Sequence, residues 1–237
     1  MLIDMHVHTN ASDGFDIGLD EVIERLKQRG ITGALLAECD VVPDWEAVKA
    51  AAERNQFALF VGVDIDAADG RLIAVPSDPT DARFLEQAWR ADDGDTNLGL
   101  VSKAMEAIGG VVLAAHPYMD DGGPSLGDKI YRARGIAAIE ILCGLKDDLA
   151  NDLALEAAAS LNLPSFGGSD TGPEGERLGH FATAFADAPR TQEDFVAALR
   201  DGSFWAVELR RAGTRRAPPR SDRGDRGDRG DRGDRRR

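Results

Sequence analysis

Apolar and polar positions along residues 1–209 recur in a strand–helix rhythm. Leu2–Val7 reads as a short buried strand. Leu19, Val22, Ile23 and Leu26 then share one face of a helix over Leu19–Arg29, which Gly30 stops. Ile31–Ala37 predicts a second strand, Asp44–Asn55 a helix and Phe57–Ile65 a third strand. After the turn at Asp69-Gly70, Arg71–Val75 predicts another short strand, and helical spacing covers Thr80–Trp89 and Asn97–Ile108. Val111–Ala115 is continuously apolar, as expected of a strand buried on both faces. Ile136–Leu142, Leu163–Phe166 and Phe181–Phe185 predict three more strands, with helices over Lys129–Arg134 and Asp147–Leu161. The last helix runs from Thr191 to Arg200, with Thr191 as N-cap and Asp194 three residues on, and Phe204–Leu209 closes the body.

Repeated strand–helix units imply parallel strands joined by right-handed crossovers. About seven such units suit an α/β fold closed into a distorted barrel better than an open sheet. In either arrangement a functional site belongs at the carboxyl ends of the strands. The unusual residues gather there: His6 and His8, Glu38-Cys39-Asp40, Asp64, His116, Glu140 with Cys143, and Asp170.

The rhythm stops at Arg210, which divides the chain into a body, 1–209, and a tail, 210–237. The tail repeats Asp-Arg-Gly from Asp222 to Asp234 and has nothing apolar to bury, so it is expected to be disordered. Its Arg-Gly-Asp triplets read as accidental in a chain with no secretion signal. The tail holds 12 arginines and 5 aspartates, leaving 16 basic against 37 acidic residues in the body. The overall charge of −14 therefore hides a body near −21. Such a body is poorly suited to duplex nucleic acid, and weak electrostatic contacts are left to the tail. No apolar run reaches the roughly 20 residues of a membrane span. Two cysteines make no disulfide framework, and a cytoplasmic location is expected.

His6 and His8 are two residues apart on a strand, so both imidazoles face the same way and can hold one ion. Hard carboxylates with imidazoles suit Zn²⁺, Mn²⁺ or Fe²⁺. Each later residue has a plainer reading beside the ligating one. His116 can cap a strand before Pro117, and Asp13 and Asp170 can serve as turn residues. Cys39 and Cys143 can be small buried hydrophobes, and His180 an ordinary core or surface histidine. Glu38 and Glu140 are candidates to orient a ligand histidine. Arg177 and Lys146 are candidates to hold a phosphate, or plain solvated charges.

In chain order the motifs are His6-Val7-His8, Ser12-Asp13-Gly14, Ala37-Glu38-Cys39-Asp40, Gly62-Val63-Asp64-Ile65, Ala115-His116-Pro117 and Gly168-Ser169-Asp170-Thr171. Over about residues 1–186 this series resembles the PHP family, named for polymerase and histidinol phosphatase. The resemblance implies a distorted (β/α)7 barrel, a cluster of divalent ions (one to three here) and hydrolysis of a small phosphomonoester by a metal-activated hydroxide. It assigns His6, His8, Asp13, Cys39, Asp64, His116 and Asp170 to the metal cluster, with Asp64, His116 and Asp170 closest to the chemistry. The departures lie at three of these motifs. Cys39 stands where the family has the histidine of its TDH segment, and Thr171 where it has the last histidine of GSDAH. Asp64 replaces a glutamate, and Arg71 lies near where several relatives place a histidine. Cys39, Cys143 and His180 are the candidates to replace missing ligands. The alternative to an enzyme is a catalytically impaired module that binds metal or a phosphorylated ligand.

Overall fold

In the computed structural model, residues 1–91, 95–119, 122–145 and 147–209 are described. The tail and Lys146 lie outside them. The chain begins with strand β1 (Leu2–Val7), helix α1 (Leu19–Gln28), β2 (Gly33–Cys39), α2 (Trp45–Asn55), β3 (Ala58–Ala67) and β4 (Gly70–Val75). It continues through the short α3 (Ala82–Leu85), α4 (Leu98–Ala107), β5 (Val111–Ala114), a 3-10 segment at Gly127–Arg132 and β6 (Ile136–Cys143). Helix α5 (Asp148–Leu161), β7 (Ser165–Gly168), β8 (Phe181–Phe185), α6 (Gln192–Asp201) and β9 (Phe204–Glu208) complete the body.

Capping chemistry sets several of these boundaries. Asp44, Asn97 and Asp147 accept hydrogen bonds from backbone N–H groups in the first turns of α2, α4 and α5. Thr191 and Asp194 form the full reciprocal capping box of α6. Two expected helices are shorter or tighter than their spacing suggests. Only Ala82–Leu85 of the stretch Thr80–Trp89 is α-helical, and the segment before β6 is a 3-10 turn.

The described strands form one sheet in the order β7-β6-β5-β4-β3-β2-β1-β8-β9. β1, β2 and β3 are mutually parallel, as are β5, β6 and β7. β4 runs antiparallel between β3 and β5, so those two point the same way. β8 and β9 add an antiparallel pair beside β1. The six parallel strands thus deliver their carboxyl ends to one rim.

The sheet curls into a nearly closed barrel, with β7 returning to β1 and β8. Two devices make this closure. The Thr183 hydroxyl accepts from Gly167 N–H at 2.9 Å and donates to the Gly167 carbonyl at 3.0 Å, doing the work of a ladder partner. Gly168 allows the close approach, because a Cβ there would lie 2.4 Å from the His6 Cβ. The interior is packed by Ile3, Met5, Leu35, Phe60, Leu113 and Phe166, sealed at the far end by Phe195, Val196 and Leu199 of α6. The other face of the sheet packs on α1, α2, α4 and α5.

β1 carries a bulge between Asp4 and Val7. Ile3 and Met5 face the interior, whereas Val7 packs with Leu36 in the helix-facing core. The bulge has reversed the alternation, which turns His6 and His8 inward at the rim.

Candidate metal centre

Four of the parallel strands, and the turns after the other two, bring named side chains to this rim. β1 supplies His6, with His8 just past its end, β2 Cys39, β3 Asp64, β6 Glu140 and Cys143. The turns after β5 and β7 supply His116 and Asp170. Both turn residues adopt left-handed backbone, with φ of +23° at His116 and +45° at Asp170, joined by Thr171 at +20° and Asp40 at +53°. Such conformations disfavour side chains and persist where surrounding structure holds them.

The contacts are specific. His6 Nδ1 lies 3.3 and 3.2 Å from the two Glu140 carboxylate oxygens. Its Nε2 points to Asp64 Oδ2 at 3.7 Å, beyond hydrogen-bond reach, and is buried with no partner. His8 Nε2 lies 3.4 Å from Asp170 Oδ1, and its Nδ1 3.5 Å from Cys39 Sγ. Cys39 Sγ is 3.9 Å from Asp64 Oδ2. The His116 and His6 rings stack at 5.6 Å, and the Glu140 carboxylate also accepts from His116 N–H at 2.9 Å.

Two arginines complete the arrangement. Arg71 Nη1 is 3.2 Å from Asp64 Oδ2, and Arg177 Nη1 is 3.2 Å from Asp170 Oδ2. Around them opens a cavity of about 350 Å³ lined by His8, Cys39, Asp64, His116 and Asp170, with Asp13, Asp40 and Asp66 at its mouth.

Electrostatics follow from burial and pairing. Burial presses the His8 imidazole toward neutrality, but Asp170 and Cys39 outweigh it and lift its pKa to about 9. Burial also opposes charge on His6, yet Glu140 and Asp64 hold its pKa well above the usual value. Asp64 and Asp170 are held below the carboxylate range against the same burial, by the facing imidazoles of His6 and His8 respectively and by other nearby positive charge. Carboxylates that draw protons onto buried imidazoles draw a divalent ion equally well. The donor set therefore fits a cation: two imidazoles, one with an orphaned buried nitrogen, and two ionised carboxylates. Three overlapping donor groups are close enough to ligate: His6-His8-Asp170, His6-His116-Glu140 and His8-Cys39-Asp64.

The remaining candidates separate cleanly. Asp13 is exposed at the cavity mouth and lies outside these donor groups. Cys143 Sγ is buried 3.7 Å from Asp170 Oδ2, and burial with the charges of Glu140 and Asp170 pushes its thiol well up. His180 does not line the cavity. Glu38 accepts from the Thr9 backbone and hydroxyl and from the Ser12 hydroxyl, tying the β1 turn to β2. Thr171, at the position of a family histidine, accepts from His8 N–H at 2.7 Å and donates to the His8 carbonyl at 3.1 Å. Its role in the structure is to hold His8 in place.

The PHP-associated family model matches residues 148–204, from α5 into β9. The body superposes on a Bifidobacterium adolescentis protein whose inferred role is metal-dependent phosphoesterase, with a TM-score of 0.60 and 18% identity. That match covers 71% of this chain and 86% of the other. It also superposes on an amidohydrolase from Chromobacterium violaceum, a structure with bound sulfate and no metal, at a TM-score of 0.59 and 19% identity. There the coverage is 88% and 98%. No curated protein sequence matches the chain.

Proposed function

We propose that the protein is a metal-dependent phosphoesterase acting on a small phosphomonoester. The observation that carries this reading is the orphaned His6 Nε2, which faces Asp64 Oδ2 at 3.7 Å and is grouped with His8 and Asp170, beside a cavity flanked by two arginines. His6, His8, Asp64 and Asp170 would hold the ion. A bound divalent ion supplies Lewis acidity, lowering the pKa of water and drawing charge from a phosphoryl oxygen.

The chain's own residues do the rest. Glu140 keeps the proton of His6 on Nδ1, which leaves Nε2 as a lone-pair donor. Arg71 and Arg177 present guanidinium N–H groups at the cavity, suited to the oxygens of a phosphate. His116 lines the same cavity and is placed to hand a proton to a leaving alkoxide. Asp13, Asp40 and Asp66 make the mouth acidic, which opposes a polyanionic substrate and favours a small ester. The volume of about 350 Å³ suits a ligand of that size. Free thiols at Cys39 and Cys143 fit a reducing cytoplasm. No described helix is long and apolar enough to cross a membrane.

One observation favours a second reading, a module that binds a phosphorylated ligand without hydrolysing it. Both cavity aspartates are already paired with arginines. A substrate panel separates the two. With Mn²⁺ present, p-nitrophenyl phosphate should be hydrolysed faster than bis(p-nitrophenyl) phosphate or a p-nitroanilide amide. Phosphate binding without turnover of any of these would support the module, and preferred amide cleavage would refute both.

A further inference from the structure

The three donor groups share two histidines, and an imidazole has one lone pair to give once its other nitrogen carries a proton. His6 and His8 each belong to two groups, so the groups cannot all be filled together. The His6-His116-Glu140 group is already spent on protein. The Glu140 oxygens lie 3.2 and 3.3 Å from His6 Nδ1, and one also accepts from His116 N–H at 2.9 Å. That carboxylate orients His6 rather than receiving an ion. At each of the two cavity aspartates one oxygen is taken as well: Asp64 Oδ2, the oxygen that faces His6, by Arg71 at 3.2 Å, and Asp170 Oδ2, the oxygen not facing His8, by Arg177 at 3.2 Å. A carboxylate bridging a second ion would have to release a guanidinium and set a divalent charge beside it. Arg71 is only partly exposed, and its partner Asp64 is buried, so water screens that repulsion poorly.

We propose that this centre holds a single divalent ion, on His6, His8, Asp64 and Asp170, and that Arg71 stands as a fixed cation in place of a second. Arg177 does the same service at Asp170. The inference rests on the reading of this cluster as a metal centre and is independent of the reaction catalysed there. Asp64 Oδ2 faces His6 Nε2 at 3.7 Å and Arg71 Nη1 at 3.2 Å, so one oxygen couples the ion site to the guanidinium.

The test counts ions without reading turnover. The full chain is stripped with chelator and titrated with Mn²⁺, and bound metal is measured by elemental analysis and electron paramagnetic resonance. The expected result is one Mn²⁺ per chain with the six-line signal of an isolated ion. The variant Arg71→Gln should bind that first ion at least tenfold more tightly, because a like charge has been removed. Two or more tightly bound ions with exchange-coupled spectra would overturn the proposal, and so would no binding. Unchanged affinity in Arg71→Gln would overturn the role given to Arg71. A one-ion protein that hydrolyses no phosphate ester would remove the functional reading and leave this one standing. A two-ion phosphatase would do the reverse.

Discussion

Glu140→Gln isolates the group that prepares His6 for a metal. Glu140 is fully buried, and both its oxygens lie within 3.3 Å of His6 Nδ1. As a carboxylate it only accepts, so Nδ1 must carry the proton and Nε2 must offer its lone pair. The amide is nearly isosteric, but it replaces one of the two oxygens facing Nδ1 with an NH2 donor and removes the negative charge. The preference for the proton on Nδ1 is then weakened, and Nε2 offers its lone pair less of the time. Loss of such a carboxylate behind a ligand histidine weakens metal binding by about 10- to 100-fold, or about 1.4–2.8 kcal/mol. Calorimetric titration of Mn²⁺ into the chelator-stripped protein measures it directly. Circular dichroism checks that the variant folds, since His116 N–H keeps an oxygen acceptor in one amide orientation. A folded variant whose affinity changes by less than about threefold, well under that range, would refute the assignment of Glu140 as the group that sets the His6 tautomer.

Two further predictions concern the barrel and its charge. Thr183→Val keeps the shape but leaves a buried Gly167 N–H and carbonyl without their partner. At about 1–3 kcal/mol for each unpaired group, urea unfolding should show a loss of about 2–6 kcal/mol; a loss under about 0.5 kcal/mol, the ordinary scale of a surface change, would mean that the barrel does not depend on this bridge. The second concerns pH. The folded pKa of His8 is about 9, above its ordinary 6.5. A raised pKa contributes stability that is full below 6.5 and is lost as pH rises through 9. The metal-free protein should therefore become easier to unfold in urea between pH 7 and 9.5, and less so with Mn²⁺ present; the opposite slope in chelator would contradict the assigned charge on His8.

The elements that position the site are legible in local sequence, while the contacts that tune it are not. Every parallel strand was expected within a few residues, because Val111–Ala114 and its counterparts are short apolar runs between helical stretches. The cap Thr191 was readable from residue type alone. The bulge in β1 has no sequence signature, since Leu2–Val7 alternates no differently from a regular strand. The closure by Thr183 pairs residues 16 apart through a hydroxyl, which periodicity does not report. Glu140 meets His6 across 134 residues, and its role depends on which nitrogen it faces. Arg71 was noticed only as a residue near a family ligand, and its ion pair with Asp64 emerges from the β3–β4 hairpin, which sets Arg71 opposite Asp66 and diagonal to Asp64. Thr171 was read as a lost ligand, and in three dimensions it is a clamp on the His8 backbone.

The central claim is that ester hydrolysis here needs an ion on His6, His8, Asp64 and Asp170. The most direct test is release of phosphate from a small phosphomonoester by the full chain, stripped of metal and then given Mn²⁺, with Asp170→Asn alongside. The account predicts no turnover in the stripped protein, recovery with Mn²⁺, and a loss of at least about 100-fold in Asp170→Asn, the scale of removing one preorganised charged group. Turnover that survives stripping, or full activity in Asp170→Asn, would contradict it.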